Sequence, residues 1–143
     1  MARKASQALL AFESTKPYSR YIRMAESMMT SKAWLALNLR QRGLYLYMKA
    51  KYKPKASNGV LIDSNADDIS VVTKEMHKLY GDLRTFREDI DKLIACGFVR
   101  LIASGRFNRS PNIYGFSALW QKYGQDDYAV PPGDLRIQRR PPS

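Results

Sequence analysis

Gly81 constrains this chain more than any other residue, because it separates two short runs that both carry helical apolar spacing. Before it, Val72, Met76, Leu79 and Tyr80 share one face of a helix expected over residues 71–80. After it, Phe86, Ile90 and Leu93 do the same over residues 83–95. Two amphipathic helices joined by so short a turn pack across one another rather than side by side in a long bundle. Asp67, Asp68 and Ser70 offer capping side chains for the first helix and Asp82 for the second, while Gly97 is placed to stop it.

A strand over residues 98–102 follows immediately. Ser104-Gly105 then opens a turn with Arg106, Phe107, Asn108 and Arg109 near its tip, and residues 112–116 form the return strand. Upstream, residues 26–37 read as one or two helical turns, with Met28, Met29, Trp34 and Leu37 apolar. Residues 39–52 form a longer amphipathic helix. Leu44, Tyr45, Met48 and Tyr52 fall in one arc of it, with Arg42, Lys49 and Lys53 opposite. Pro54 ends it, Asn58-Gly59 marks a turn, and Val60-Leu61-Ile62 reads as a strand. A short helix is expected over residues 118–123. The expected class is therefore α+β: a winged helix-turn-helix with a three-stranded antiparallel sheet, the strand at Val60–Ile62 completing it, and additional N-terminal helical turns. Residues 1–20 read as a flexible basic arm, 21–124 as the winged-helix domain and 125–143 as a Pro-rich tail.

Charge points to the partner. Lys and Arg number 24 against 13 Asp and Glu, a net +11. The excess lies in blocks. Residues 38–55 hold Arg40, Arg42, Lys49, Lys51, Lys53 and Lys55 with no acid, and residues 100–122 hold Arg100, Arg106, Arg109 and Lys122 with no acid. Residues 1–23 add Arg3, Lys4, Lys16, Arg20 and Arg23 against Glu13 alone, and residues 56–99 are net negative. One-signed blocks on a small domain form an electrostatic footprint for an anionic partner, nucleic acid first.

Several chemistries fall away. Cys96 is the only cysteine and His77 the only histidine, so an intrachain disulfide, a thiolate cluster and a paired-histidine nuclease centre have no ligands. Asp63, Asp67 and Asp68 suit capping and loop solvation better than a metal. No phosphate-binding glycine loop occurs, and none of the tyrosines has a base set up beside it. The expectation is no catalysis, no metal and no cofactor. No apolar run reaches the roughly 18 residues of a membrane span, so the expected location is the cytoplasm, without membrane binding.

The series Tyr21-Ile22-Arg23-Met24, Ser31-Lys32-Ala33-Trp34, Gly43-Leu44-Tyr45, Arg84-Thr85-Phe86, Gly97-Phe98-Val99, Asn112-Ile113-Tyr114 and Trp120 resembles small winged-helix DNA-binding proteins of bacterial plasmids, integrative conjugative elements and phages. The resemblance covers residues 21–123. It implies either a replication-initiator module or an accessory protein of a conjugative transfer origin. Residues 63–70 depart from the pattern, being longer and more acidic than expected between strand and helix.

In a helix-turn-helix the second helix enters the major groove. Arg84 and Arg87 then suit guanine or phosphate, and Thr85 a phosphate or a thymine methyl. Glu88, Asp89 and Asp91 oppose this by making the same helix acidic, unless i,i+4 pairs such as Arg84–Glu88 and Arg87–Asp91 neutralise them. The wing is acid-free. Arg106 and Arg109 suit a narrow minor groove, Asn108 either reads an acceptor edge or holds the turn, and Phe107 either anchors the hairpin or wedges into DNA. The wing is expected to contribute more affinity than the helix. Arg42 and Lys49 on the long helix, and Arg20 and Arg23 near the arm, are auxiliary phosphate contacts. The resulting reading is sequence-specific binding of double-stranded DNA, by a monomer or by a homodimer on repeated sites. The protein would mark an origin of transfer or replication and recruit a relaxase or replication protein. A transcriptional regulator of the same fold and a protein-interaction module are the alternatives.

Overall fold

The computed structural model describes residues 22–106 and 109–137. Two helical turns, α1 (Glu26–Met29) and α2 (Lys32–Leu35), lead into α3 (Leu39–Lys49). A hairpin of β1 (Lys55–Ser57) and β2 (Val60–Asp63) follows. Then come α4 (Thr73–Leu79), α5 (Leu83–Ala95), β3 (Val99–Ala103) and β4 (Ile113–Phe116), with 3-10 turns at Leu119–Lys122 and Pro132–Asp134. The class is α+β. None of the described helices is long and apolar enough to cross a membrane.

Capping explains most helix starts. The Asn38 side chain accepts from the Gln41 N–H at 2.8 Å, and the Gln41 side chain accepts from the Asn38 N–H at 3.0 Å, a reciprocal box. Ser31 caps α2, accepting from the Trp34 N–H at 3.2 Å, and Asp82 caps α5, accepting from the Thr85 N–H at 2.6 Å. The cap of α4 differs from the expected one. The chain is extended over 69–71, where Ile69 bridges Tyr114 through bonds of 2.9 and 2.7 Å. The helix therefore begins only at Thr73, and Glu75 reaches back to accept from the Val72 N–H at 3.2 Å. Asp67 instead pairs with Arg100 at 3.2 Å. Val72 and Leu79, expected in the core, are exposed, and Tyr80 is buried. α3 ends at Lys49 and unwinds through bonds from Lys51 and Tyr52 to the carbonyls of Met48 and Lys49.

The sheet is also not the expected one. Two two-stranded antiparallel sheets form, β1–β2 and β3–β4. Val60–Ile62 pairs with Lys55–Ser57 across Asn58-Gly59. Both turn residues have positive φ, 52° and 77°, the requirement of a two-residue hairpin turn. What lies beside β4 is the Ile69 bridge instead.

The core joins α2, α3, α5 and β3. Trp34, Tyr45 and Phe98 meet edge-on or tilted with centroids 5.4–5.8 Å apart, and Trp120 stacks on Phe98 at 6.2 Å. Such aromatic pairs contribute about 0.5–1.5 kcal/mol each beyond their burial. Cys96 is buried here, as expected of a small apolar side chain. Gly97 (φ 85°) closes α5, and a Cβ there would lie 2.5 Å from the Trp120 backbone nitrogen.

Residues 125–137, assigned to a tail by composition, lie against this body. Tyr128 Oη donates to the Ala95 carbonyl at 2.6 Å, and Val130 and Leu135 pack on the core. Arg136 makes a two-bond pair with Asp91 at 2.8 and 3.0 Å.

A polar link joins α3 to α4. The Glu75 carboxylate accepts from Lys51 Nζ at 2.8 Å and from the Tyr47 hydroxyl. Partial burial alone would raise the Glu75 carboxyl, but the bonds from Lys51, Tyr47 and the Val72 N–H outweigh it and bring it from an ordinary 4.5 down to about 2. A depressed folded-state pKa stabilises the protein above pH 4.5, and that stabilisation is lost as pH falls toward 2. Denaturant midpoints measured from pH 6 to pH 2 will therefore fall more steeply in the wild type than in Glu75→Gln. Parallel curves would show that this carboxylate contributes no linkage.

Candidate nucleic-acid interface

A cleft of about 500 Å³ opens between the start of α4, the first turns of α5 and the return side of the β3–β4 loop. Lys74, Arg87, Arg109 and Arg136 line it, and among the described residues no carboxylate does. Each is set by local structure. Lys74 lies in the first turn of α4, whose position the Ile69–Tyr114 bridge fixes. Arg87 stands one turn after the Asp82 cap, beside buried Phe86. Arg109 is a non-glycine residue at positive φ, 52°. The loop that carries it is pinned at its base, where Asn112 Oδ1 accepts from the Gly105 N–H at 2.9 Å and Asn112 Nδ2 donates to Tyr114 Oη at 3.3 Å.

The three acids of α5 are each neutralised. Glu88 pairs with Arg84 at 3.3 Å, the expected i,i+4 bridge. Asp91 pairs with Arg136 rather than with Arg87. Asp89 does not face outward at all: it is wholly buried and accepts from Arg40 at 2.6 and 3.0 Å, Gln41 at 3.3 Å and Tyr80 Oη at 2.7 Å. Burial alone would raise its carboxyl, but the bonds from Arg40, Tyr80 and Gln41 hold it below the ordinary carboxylate value. Among the described residues, no acid lies within ion-pair distance of Arg87.

No protein-family model, curated protein or solved structure matches this chain.

The expected contact residues divide. Arg87 and Arg109 come together in the cleft, and Arg106 is exposed on the same loop. Arg84 is exposed on α5 but holds Glu88. Thr85 is committed to its cap, since both its backbone N–H and its side chain bond Asp82 and lower that carboxyl. Arg42 is directed toward α2: its Nε donates to the Trp34 carbonyl at 3.2 Å and its guanidinium lies 5.8 Å from the Trp34 ring centre. Lys49 is not on an outer basic face. Its ammonium sits 5.0 Å from the Phe116 ring centre and 5.3 Å from that of Tyr52, and burial lowers its pKa. Arg23 lies with Lys49 on a different groove. Arg20 and Asn108 fall outside the described residues, as does Phe107.

Sequence reasoning missed Lys74 and Arg136. Lys74 adjoins the start of a predicted helix, which was signal enough to weigh it. Arg136 lies in a segment whose proline and glycine content gives no hint of docking.

Proposed function

We propose that this chain is a winged-helix protein that binds double-stranded DNA. It would place α5 in the major groove and the β3–β4 loop along the adjacent backbone or minor groove. The observation that carries this reading is the acid-free cleft, in which Lys74, Arg87 and Arg109 converge while every acid of α5 is paired away. A helix whose carboxylates are neutralised can approach phosphates that would otherwise repel it. The order α3, Ile69 bridge, α4, α5, β3, loop, β4 supports the same fold, with the bridge standing in for the third strand. The resemblance to winged-helix proteins of mobile elements favours a site at an origin of conjugative transfer or replication. There the bound protein would help recruit the relaxase or the replication protein.

The test is competition binding at about 150 mM salt. Duplex fragments from the protein's own genetic neighbourhood compete against random duplex of equal length. A preference above about a thousandfold for an origin fragment is expected. Equal competition by all fragments, with binding vanishing as salt rises, would remove the site-specific reading.

A further inference from the structure

The β1–β2 hairpin has an exposed composition that DNA binding does not require. Val60, Leu61 and Ile62 are 66, 56 and 69% exposed. Successive strand side chains point to opposite faces, so both faces of this ribbon are open. Each strand has one partner, which leaves the outer edge of β1 without ladder bonds among the described residues. Isolated two-stranded hairpins are marginal in water. This one is held at its base, where Asn65 Oδ1 accepts from the Lys53 N–H at 2.5 Å and Asn65 Nδ2 donates to the Lys51 carbonyl at 2.8 Å.

Beside it runs a groove of about 980 Å³, which shares no residue with the cleft described above. Arg23, Lys49, Lys53 and Lys55 line it, together with Tyr52 and Leu61, and among the described residues no acid does. Cations at intervals along the open edge of β1, with Leu61 beside them, fit an extended chain of acidic and apolar residues, which gains ladder bonds, burial and ion pairs together. A second copy of the hairpin would bring its own Lys53 and Lys55 against these, so like charges oppose self-pairing. Duplex DNA satisfies the cations but leaves three aliphatic side chains in water.

We infer that the β1–β2 hairpin and its basic groove are a docking site for an extended acidic–apolar segment of a partner protein, added as a strand along β1. This site is separate from the DNA cleft, and one molecule can hold both ligands.

The probe is a fluorescent 12-residue peptide alternating Asp or Glu with Val or Ile, titrated with the full chain at about 150 mM salt. A Kd of roughly 10–100 μM is expected. Peptides with Lys in place of the acids, or Ser in place of the aliphatics, should bind at least tenfold more weakly. Leu61→Asp and the pair Lys53→Glu/Lys55→Glu should each weaken the acidic peptide about tenfold while leaving affinity for duplex DNA within about twofold. These positions are exposed, and circular dichroism checks that each variant is folded. Absence of binding at about 1 mM overturns the proposal, as does unaltered peptide affinity in both variants. Loss of duplex affinity in the variants would make the hairpin a nucleic-acid arm instead. A dimer in sedimentation velocity that Leu61→Asp dissociates would make the occupant a second copy.

Discussion

Arg87→Glu combined with Arg109→Glu will lower affinity for duplex DNA by about a hundredfold at moderate salt, and the slope of log K against log salt will become shallower by about 2. The two side chains line one cleft from opposite sides, one from a helix and one from a loop. Reversing both removes two cations and sets two carboxylates against phosphate. Neither is buried in the core, so thermal stability should move by less than about 0.5 kcal/mol. Arg42→Ala is the contrasting variant: its guanidinium is engaged with Trp34, and DNA affinity should stay within about twofold. Separate alanine pairs divide helix from loop. If Arg106→Ala/Arg109→Ala weakens binding more than Arg84→Ala/Arg87→Ala, the loop dominates. The pairing of Arg84 with Glu88 favours that outcome, since one of the two helix cations is already partly neutralised. Wild-type affinity in the doubly reversed variant would place the interface elsewhere.

The elements around this cleft were legible because their signals are local. Phe86, Ile90 and Leu93 repeat at helical spacing and all three are buried. Asp82 caps at its expected position, Gly97 ends the helix, and the strands flanking the basic loop pair as their composition suggests. The hairpin was misassigned for a different reason. Val60–Ile62 has strand composition, but composition carries no information about which strand it pairs with. Asn58-Gly59 did carry it, because two consecutive residues suited to positive φ favour a tight return to the residues just before them. Residues 125–137 were read by proline content alone, and the contacts that dock them, Tyr128 to Ala95 and Arg136 to Asp91, span 33 and 45 positions. Lys49 was assigned to the outer face by its helical position opposite Leu44 and Met48. Its long stem instead lies along Tyr52 and Phe116, as lysine stems do beside apolar surface.

Asp89 is the deepest of these differences and carries the largest expected effect on stability. Helical periodicity puts it next to Ile90, and its charge argued for solvent, yet it is 0% exposed. The reason lies 49 positions away in Arg40, which reaches it with two bonds and remains half exposed itself. Gln41 and Tyr80 complete the shell, so one carboxylate ties the start of α3, the end of α4 and the middle of α5 together. Asp89→Ala will destabilise the protein by about 3 kcal/mol, because it opens a cavity and leaves the buried Tyr80 hydroxyl without its acceptor. For a chain of this size the melting temperature should drop by about 10 °C. Arg40, already in contact with water, can turn outward, so the cost concentrates on Tyr80. The Tyr80→Phe change should accordingly cost about 1 kcal/mol in the wild type and recover about 1 kcal/mol in the Asp89→Ala background, where it removes the unsatisfied hydroxyl. The sign of the pH dependence follows from the same bonds. The folded carboxyl lies below its ordinary 3.8, so its stabilisation is present above that pH and is lost as pH falls through the folded value. Asp89→Ala should therefore flatten that part of the acid-unfolding curve as well as lower it. An additive double mutant would show that Tyr80 and Asp89 act independently, and that α4 and α5 are held together by apolar packing alone.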